Sequence, residues 1–148
     1  MAQGHAHAVA RLGLDPSAPV VNSGGPPSGS RQEARQYDTF VDRCVASGAR
    51  AALVRSDHDA IELLRRLRAR GLHTPDDMAL IAYDDEFAAL AEVPLTAVAP
   101  PKRQLGEQAA HLLLDRLLAP GPLPARQVVM QPTLRVRASC GAAGPAAA

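Results

Sequence analysis

The sequence predicts an α/β domain: a mainly parallel sheet flanked by helices. Short apolar runs of strand length, Ala51 to Val54, Met78 to Ala82 and Pro94 to Ala99, alternate with longer stretches whose apolar residues recur at helical spacing. The connections are short, and glycine or proline punctuates them, as βαβ units require. The chain has 148 residues, which suits one domain of ordinary size. Hydrophobic residues are 47% and aromatics 3%, so the core must be built from Ala, Leu and Val.

Taken in order, His5 to Leu12 reads as a short helix stopped by Gly13 and Asp15-Pro16. Val20-Val21 can form a short strand. Residues 22–30, NSGGPPSGS, carry too much Gly, Pro and Ser for anything but a flexible loop. Arg31 to Ser47 is expected to be helical, with Tyr37, Phe40, Val41 and Val45 on one face and Gly48 closing it. The strand Ala51 to Val54 leads through Arg55-Ser56-Asp57 to a helix from about Asp59 to Arg70. Ile61, Leu64 and Leu67 lie on one side of that helix, Gly71 caps it and Pro75 follows. Two further strands, Met78 to Ala82 and Pro94 to Ala99, precede a long helix, Lys102 to Leu118. Leu105, Ala109, Leu112, Leu113 and Leu117 form its stripe. Gln127 to Met130 and Leu134 to Val136 are expected as two last strands around Pro132, and residues 140–148 as a disordered tail.

Composition excludes several classes of function. Sixteen Lys and Arg against fifteen Asp and Glu leave a formal charge of +1, without the basic excess that a phosphate backbone selects. Cys44 and Cys140 stand far apart, outside any metal-type spacing, which fits a reducing compartment and a cytoplasmic location. No run reaches the ~18 apolar residues of a membrane helix, and no signal-peptide pattern opens the chain. P-loop, GxGxxG and GxSxG patterns are missing, so no cofactor and no nucleophile is indicated. The basic run RRLRAR, Arg65 to Arg70, falls at a helix C-terminus, where cations are favoured, and reads as a solvated face.

Two strands end in acid: Ser56-Asp57 follows the first and Asp84-Asp85 the second. In parallel sheets ligands bind outside the carboxyl ends of the strands, so neighbouring strands would bring these acids to one crevice. Carboxylates there can accept hydrogen bonds from vicinal hydroxyls or a base edge, as a sugar or nucleoside offers. The plainer alternative is that Asp57 caps the helix after it. A third reading takes Asp57, His58, Asp84 and Asp85 as the oxygen and imidazole ligands of a metal-assisted hydrolase. First-turn acids that favour the helix dipole account for SDHD equally simply.

The stretch ALVRSDHDAIELLRRLRARGLHTPDDMALIAYDD, Ala52 to Asp85, resembles the strand, "ND" or "SD", helix, "GL.VPEDV", strand and "GFDD" of LacI/GalR-family transcriptional regulators. PLTAVAPPKRQLGEQAAHLLLDRLL is similar to the family's "PLTTV.QP...LG..A...L", and PTLRVRAS to "P.LVVR.S". The resemblance runs from about Gly4 to Ser139 and implies the C-terminal lobe of a type I periplasmic-binding-protein-like sensor. Residues 1–139 would then be part of an effector-binding domain. Asp84 would be the effector-binding carboxylate, Ser56 and Asp57 would assist from the neighbouring loop, and Asp85 would complete the pair.

The implied partners are a sugar-like or nucleoside-like effector and a second copy of the chain. DNA would be reached only through a helix-turn-helix, which these residues do not contain, and no reaction would be catalysed. Three departures matter. Pro100 stands where the family carries Gln, and Asp59 and Glu62 replace the Met and Gly of "D.MALGAL", on a helix beside the family's dimer interface. In the resembled fold the helix Lys102 to Leu118 packs in another lobe. Here its leucines are expected either to drive dimerisation or to fold onto the chain's own sheet. The alternative is a truncated remnant without independent function.

Overall fold

The structure is a computed structural model that describes residues 2–14 and 31–142. The expected strand Val20-Val21, the loop 22–30 and all but the first residues of the expected tail lie outside the described residues. The chain divides into two units, Met1–Arg50 and Ala51–Ala148.

In the first unit α1 spans Ala2–Leu12, starting earlier than its apolar pattern indicates, and α2 spans Arg31–Ser47. Gly48, at φ 72°, ends α2 in a left-handed turn. There its amide donates to the Val45 carbonyl at 3.1 Å and the Ala49 amide to Cys44 at 3.0 Å, which satisfies two orphan carbonyls. The buried stripe of α2 is Val41 and Cys44, and Val45 is exposed, contrary to expectation. A thiol behaves as a small hydrophobe, so the i, i+3 pair outranks the larger Val45. Burial also raises the pKa of the Cys44 thiol, against the thiolate that a nucleophile needs.

The second unit holds one four-stranded sheet in the order β1-β2-β3-β4. Strands β1 (Ala51–Leu53), β2 (Ala79–Tyr83) and β3 (Thr96–Ala99) are parallel. β4 (Thr133–Arg135) runs antiparallel on the β3 edge, pairing Val98 with Leu134. Helix α3 (Asp57–Ala69) connects β1 to β2, and a 3₁₀ turn (Ala88–Leu90) lies between β2 and β3. Helix α4 (Lys102–Leu118) follows β3. The mainly parallel α/β architecture is the one the alternating pattern predicts.

The core forms where α3 covers the sheet. Ala60, Leu63, Leu64 and Leu67 of α3 are buried, as are Ala52, Leu80, Ala82 and Ala97 of the strands and Met78, Ala88 and Leu95 beside them. Alanine at three of those four strand positions lets the helix lie close, which explains a core with few rings. α3 ends in a Schellman motif: the Gly71 amide donates to Arg68 at 2.9 Å and the Leu72 amide to Leu67 at 3.0 Å, with Gly71 at φ 73°. Its outer face is ion-paired, Arg66 to Glu62 at 2.8 Å and Arg68 to Glu92, as a solvated basic run should be.

A buried hydroxyl binds the end of the chain to the sheet. Ser139 Oγ donates to the Leu80 carbonyl at 2.6 Å and accepts from the Thr96 amide at 2.8 Å, bridging β2 and β3. Thr96 Oγ1 accepts in turn from the Arg137 amide at 2.9 Å. Two expectations are corrected. No residue of α4 is buried, so that helix does not fold onto its own sheet. Residues 127–130 form no strand, because no strand lies beside Val128 and Val129, both exposed. Among the described residues no helix is long and apolar enough to cross a membrane.

Candidate functional site

The parallel pairing of β1 with β2 brings the two acidic loops to the same end of the sheet, as a shared crevice requires. The Asp84 amide donates to the Val98 carbonyl at 3.0 Å and so continues the β2–β3 ladder one residue past the strand. The chain then turns sharply. Asp84 sits at φ 105° and Asp85 at φ 57°, the only non-glycine residues with positive φ among those described. Two consecutive L-residues there cost conformational energy that the surroundings must hold, and such strain concentrates at functional loops.

What holds it is Asp57. Its side chain is almost inaccessible, 2% exposed, and reaches across from the first turn of α3. One carboxylate oxygen accepts from the Asp85 amide at 3.3 Å. The other accepts from Glu86 at 2.6 Å, Phe87 at 2.9 Å and Ala88 at 3.2 Å. A carboxylate is acceptor-only, so one side chain satisfies four otherwise orphaned donors and cross-links the two loops. Asp57 does not cap its own helix: Ser56 is the N-cap, its Oγ accepting from the Asp59 amide at 3.2 Å.

The other acids divide in role. Asp85 turns inward, where Arg137 Nη1 donates to it at 2.6 Å and also to the Leu95 carbonyl at 2.7 Å. Asp84 is the partner that faces solvent, with a side chain 38% exposed. Lys102 Nζ lies 3.2 Å from Asp84 Oδ1 and donates to Glu86 Oε1 at 2.7 Å. The hydrogen bond to Glu86, and then the contact with Asp84, raise the Lys102 pKa.

His58 is exposed, and among the described residues no group of three His, Cys, Asp or Glu is placed to hold a metal ion. With both Asp57 oxygens committed to amides, the hydrolase reading loses one of its ligands. Reasoning from sequence missed Glu86, Lys102 and Arg137. Arg137 has no local signal, because its partner is 52 residues away. Lys102 has one: it opens α4 at the positive end of the helix dipole, with no acid in the first turn to offset it.

Residues 1–140 match the model of the periplasmic binding protein-like domain family. The chain is 34% identical over 101 residues to the arabinose metabolism transcriptional repressor of Geobacillus stearothermophilus, covering 68% of this chain and 28% of that protein. It is 39% identical over 90 residues to the HTH-type transcriptional regulator CelR of Thermobifida fusca, covering 60% of this chain and 26% of that one. The solved transcriptional regulator CelR–cellobiose complex superposes with a TM-score of 0.76 at 31% identity, over 93% of this chain and 41% of that chain. The chain therefore spans about a quarter of the length of these curated relatives.

Proposed function

The chain belongs to the periplasmic binding protein-like domain family, in the form found in LacI-type transcriptional regulators, and from that premise we propose that it is the effector-sensing lobe of such a regulator, binding a sugar-like small molecule without transforming it. The observation that carries this reading is Asp84. Of the three candidate carboxylates it is the most exposed, with a side chain 38% exposed at the carboxyl end of the sheet, while Asp85 turns inward to Arg137 and Asp57 is buried. Asp84 accepts hydrogen bonds from ligand hydroxyls, and Ser56, half-buried on the neighbouring loop, is the assisting group. Asp57 and Asp85 act indirectly, by fixing the loop that carries Asp84.

Residues 1–139 serve as one partial sensor. In the whole regulator, effector binding changes DNA affinity because the effector prefers one of two lobe arrangements. DNA is read by a module outside these residues, in the cytoplasm, and the regulator acts as a homodimer. The CelR complex contains cellobiose, which makes neutral hydroxylated sugars the first ligands to try.

The test is a thermal melt of the chain and of Asp84→Ala with cellobiose, arabinose, ribose and adenosine. A ligand that prefers the folded state raises the midpoint. The parent should respond to at least one class, and Asp84→Ala should keep its unliganded midpoint within a few degrees while losing the response. An unchanged response in the variant would refute the assignment.

A further inference from the structure

We propose that Lys102 is the charge-tuning residue of this strand-end site: it offsets one of the two negative charges of Asp84 and Glu86 and offers its remaining N–H to a ligand oxygen, so that the site takes hydroxylated ligands and holds cationic ones less tightly than its carboxylates alone would. The proposal rests on the ligand-site reading above and names the ligand class of that site.

The geometry of the third strand-end loop supports it. Pro100 has no side-chain donor or acceptor, and it sets the backbone that leads into α4. Pro101, at φ −77° and ψ 64°, forms an inverse γ-turn in which the Lys102 amide donates to the Pro100 carbonyl at 2.8 Å. Two consecutive prolines and this turn fix the direction in which α4 begins. Lys102 thereby projects back over the β2 loop, 3.2 Å from Asp84 and 2.7 Å from Glu86.

A cation in the first turn of a helix opposes the dipole, and α4 has no acid in that turn. Arg103, beside it, is matched within the helix by Glu107 at 2.9 Å. Among the described residues Lys102 is matched by Asp84 and Glu86 of the loop after β2, which account for its unfavourable helix position. An ammonium has three donors, and two are directed at carboxylates, which leaves one for a ligand. Without Lys102, Asp84 and Glu86 would present two uncompensated negative charges to an entering group instead of one, and a cationic polyol would gain most.

The experiment compares matched neutral and cationic probes, glucose with glucosamine and ribose with Tris, by calorimetric titration of the parent, Lys102→Met and Lys102→Arg. The ratio of cationic to neutral affinity should be lower in the parent than in Lys102→Met. Lys102→Met should bind the cationic probes about tenfold more tightly than the parent does, and Lys102→Arg should keep the parental preference. Equal selectivity in the parent and Lys102→Met would overturn the role of Lys102 while leaving the ligand site standing. Failure of all three proteins to bind any probe would overturn the ligand-site reading, and the role of Lys102 with it.

Discussion

At the scale of single residues, the site depends on a carboxylate that the ligand need not touch. Asp57 accepts four backbone donors from residues 85–88 and is buried while doing so. Asp57→Ala would leave those amides unpaired and the positive-φ turn unsupported. We expect it to lower stability by about 3 kcal/mol and to speed amide exchange at Glu86 and Phe87 relative to the rest of the sheet. Asp57→Asn, which keeps one acceptor oxygen, should lie between the two. Parental exchange at those amides in Asp57→Ala would mean that the loop holds itself.

Ser139 is the second such residue. Ser139→Ala removes the bridge between the Leu80 carbonyl and the Thr96 amide in a fully buried place, and denaturant unfolding should show a loss of about 2 kcal/mol. A parental unfolding midpoint would show that water replaces the hydroxyl. Neither role can be read from sequence, since each joins residues that the fold alone brings together. The sequence did place Asp57 and Asp84 at strand ends. It could not tell which carboxylate turns inward, because that depends on the direction of a side chain at a turn.

At the scale of elements, local rules were legible wherever local chemistry decides the outcome. α2 and α4 begin and end at the residues their pattern indicates, and Gly48 and Gly71 stop helices as left-handed residues. Gly71→Ala meets no neighbouring atom, so its cost should be conformational alone, about 1 kcal/mol in unfolding free energy. A change near zero would mean that the Schellman turn relaxes without penalty. Elements that need a neighbour were not legible. Gln127 to Met130 has the β-branched residues of a strand, yet pairing requires an adjacent edge, and β4 already occupies the one beside β3. The apolar residues of α4 are plain in the sequence, but they do not say what covers them, and none is buried.

At the scale of the whole molecule, that uncovered stripe has consequences. Leu105, Leu113, Leu117 and Leu118 of α4 are exposed together with Val128 and Val129. Exposed leucines along a helix favour association. The chain as given should sediment as a dimer or larger species at micromolar concentration, and Leu113→Glu with Leu117→Glu should shift it to monomer without changing the melt of the sheet. A monodisperse parental monomer would contradict this.

The central claim is that the carboxyl end of the sheet, around Asp84, is where a small hydroxylated ligand binds. The most direct measurement is a titration of the isotope-labelled chain with cellobiose, ribose and adenosine, followed by amide chemical shifts. Saturable shifts confined to Ser56, residues 84–88 and Lys102 are expected. Saturable shifts elsewhere, with those residues unmoved, would contradict the claim.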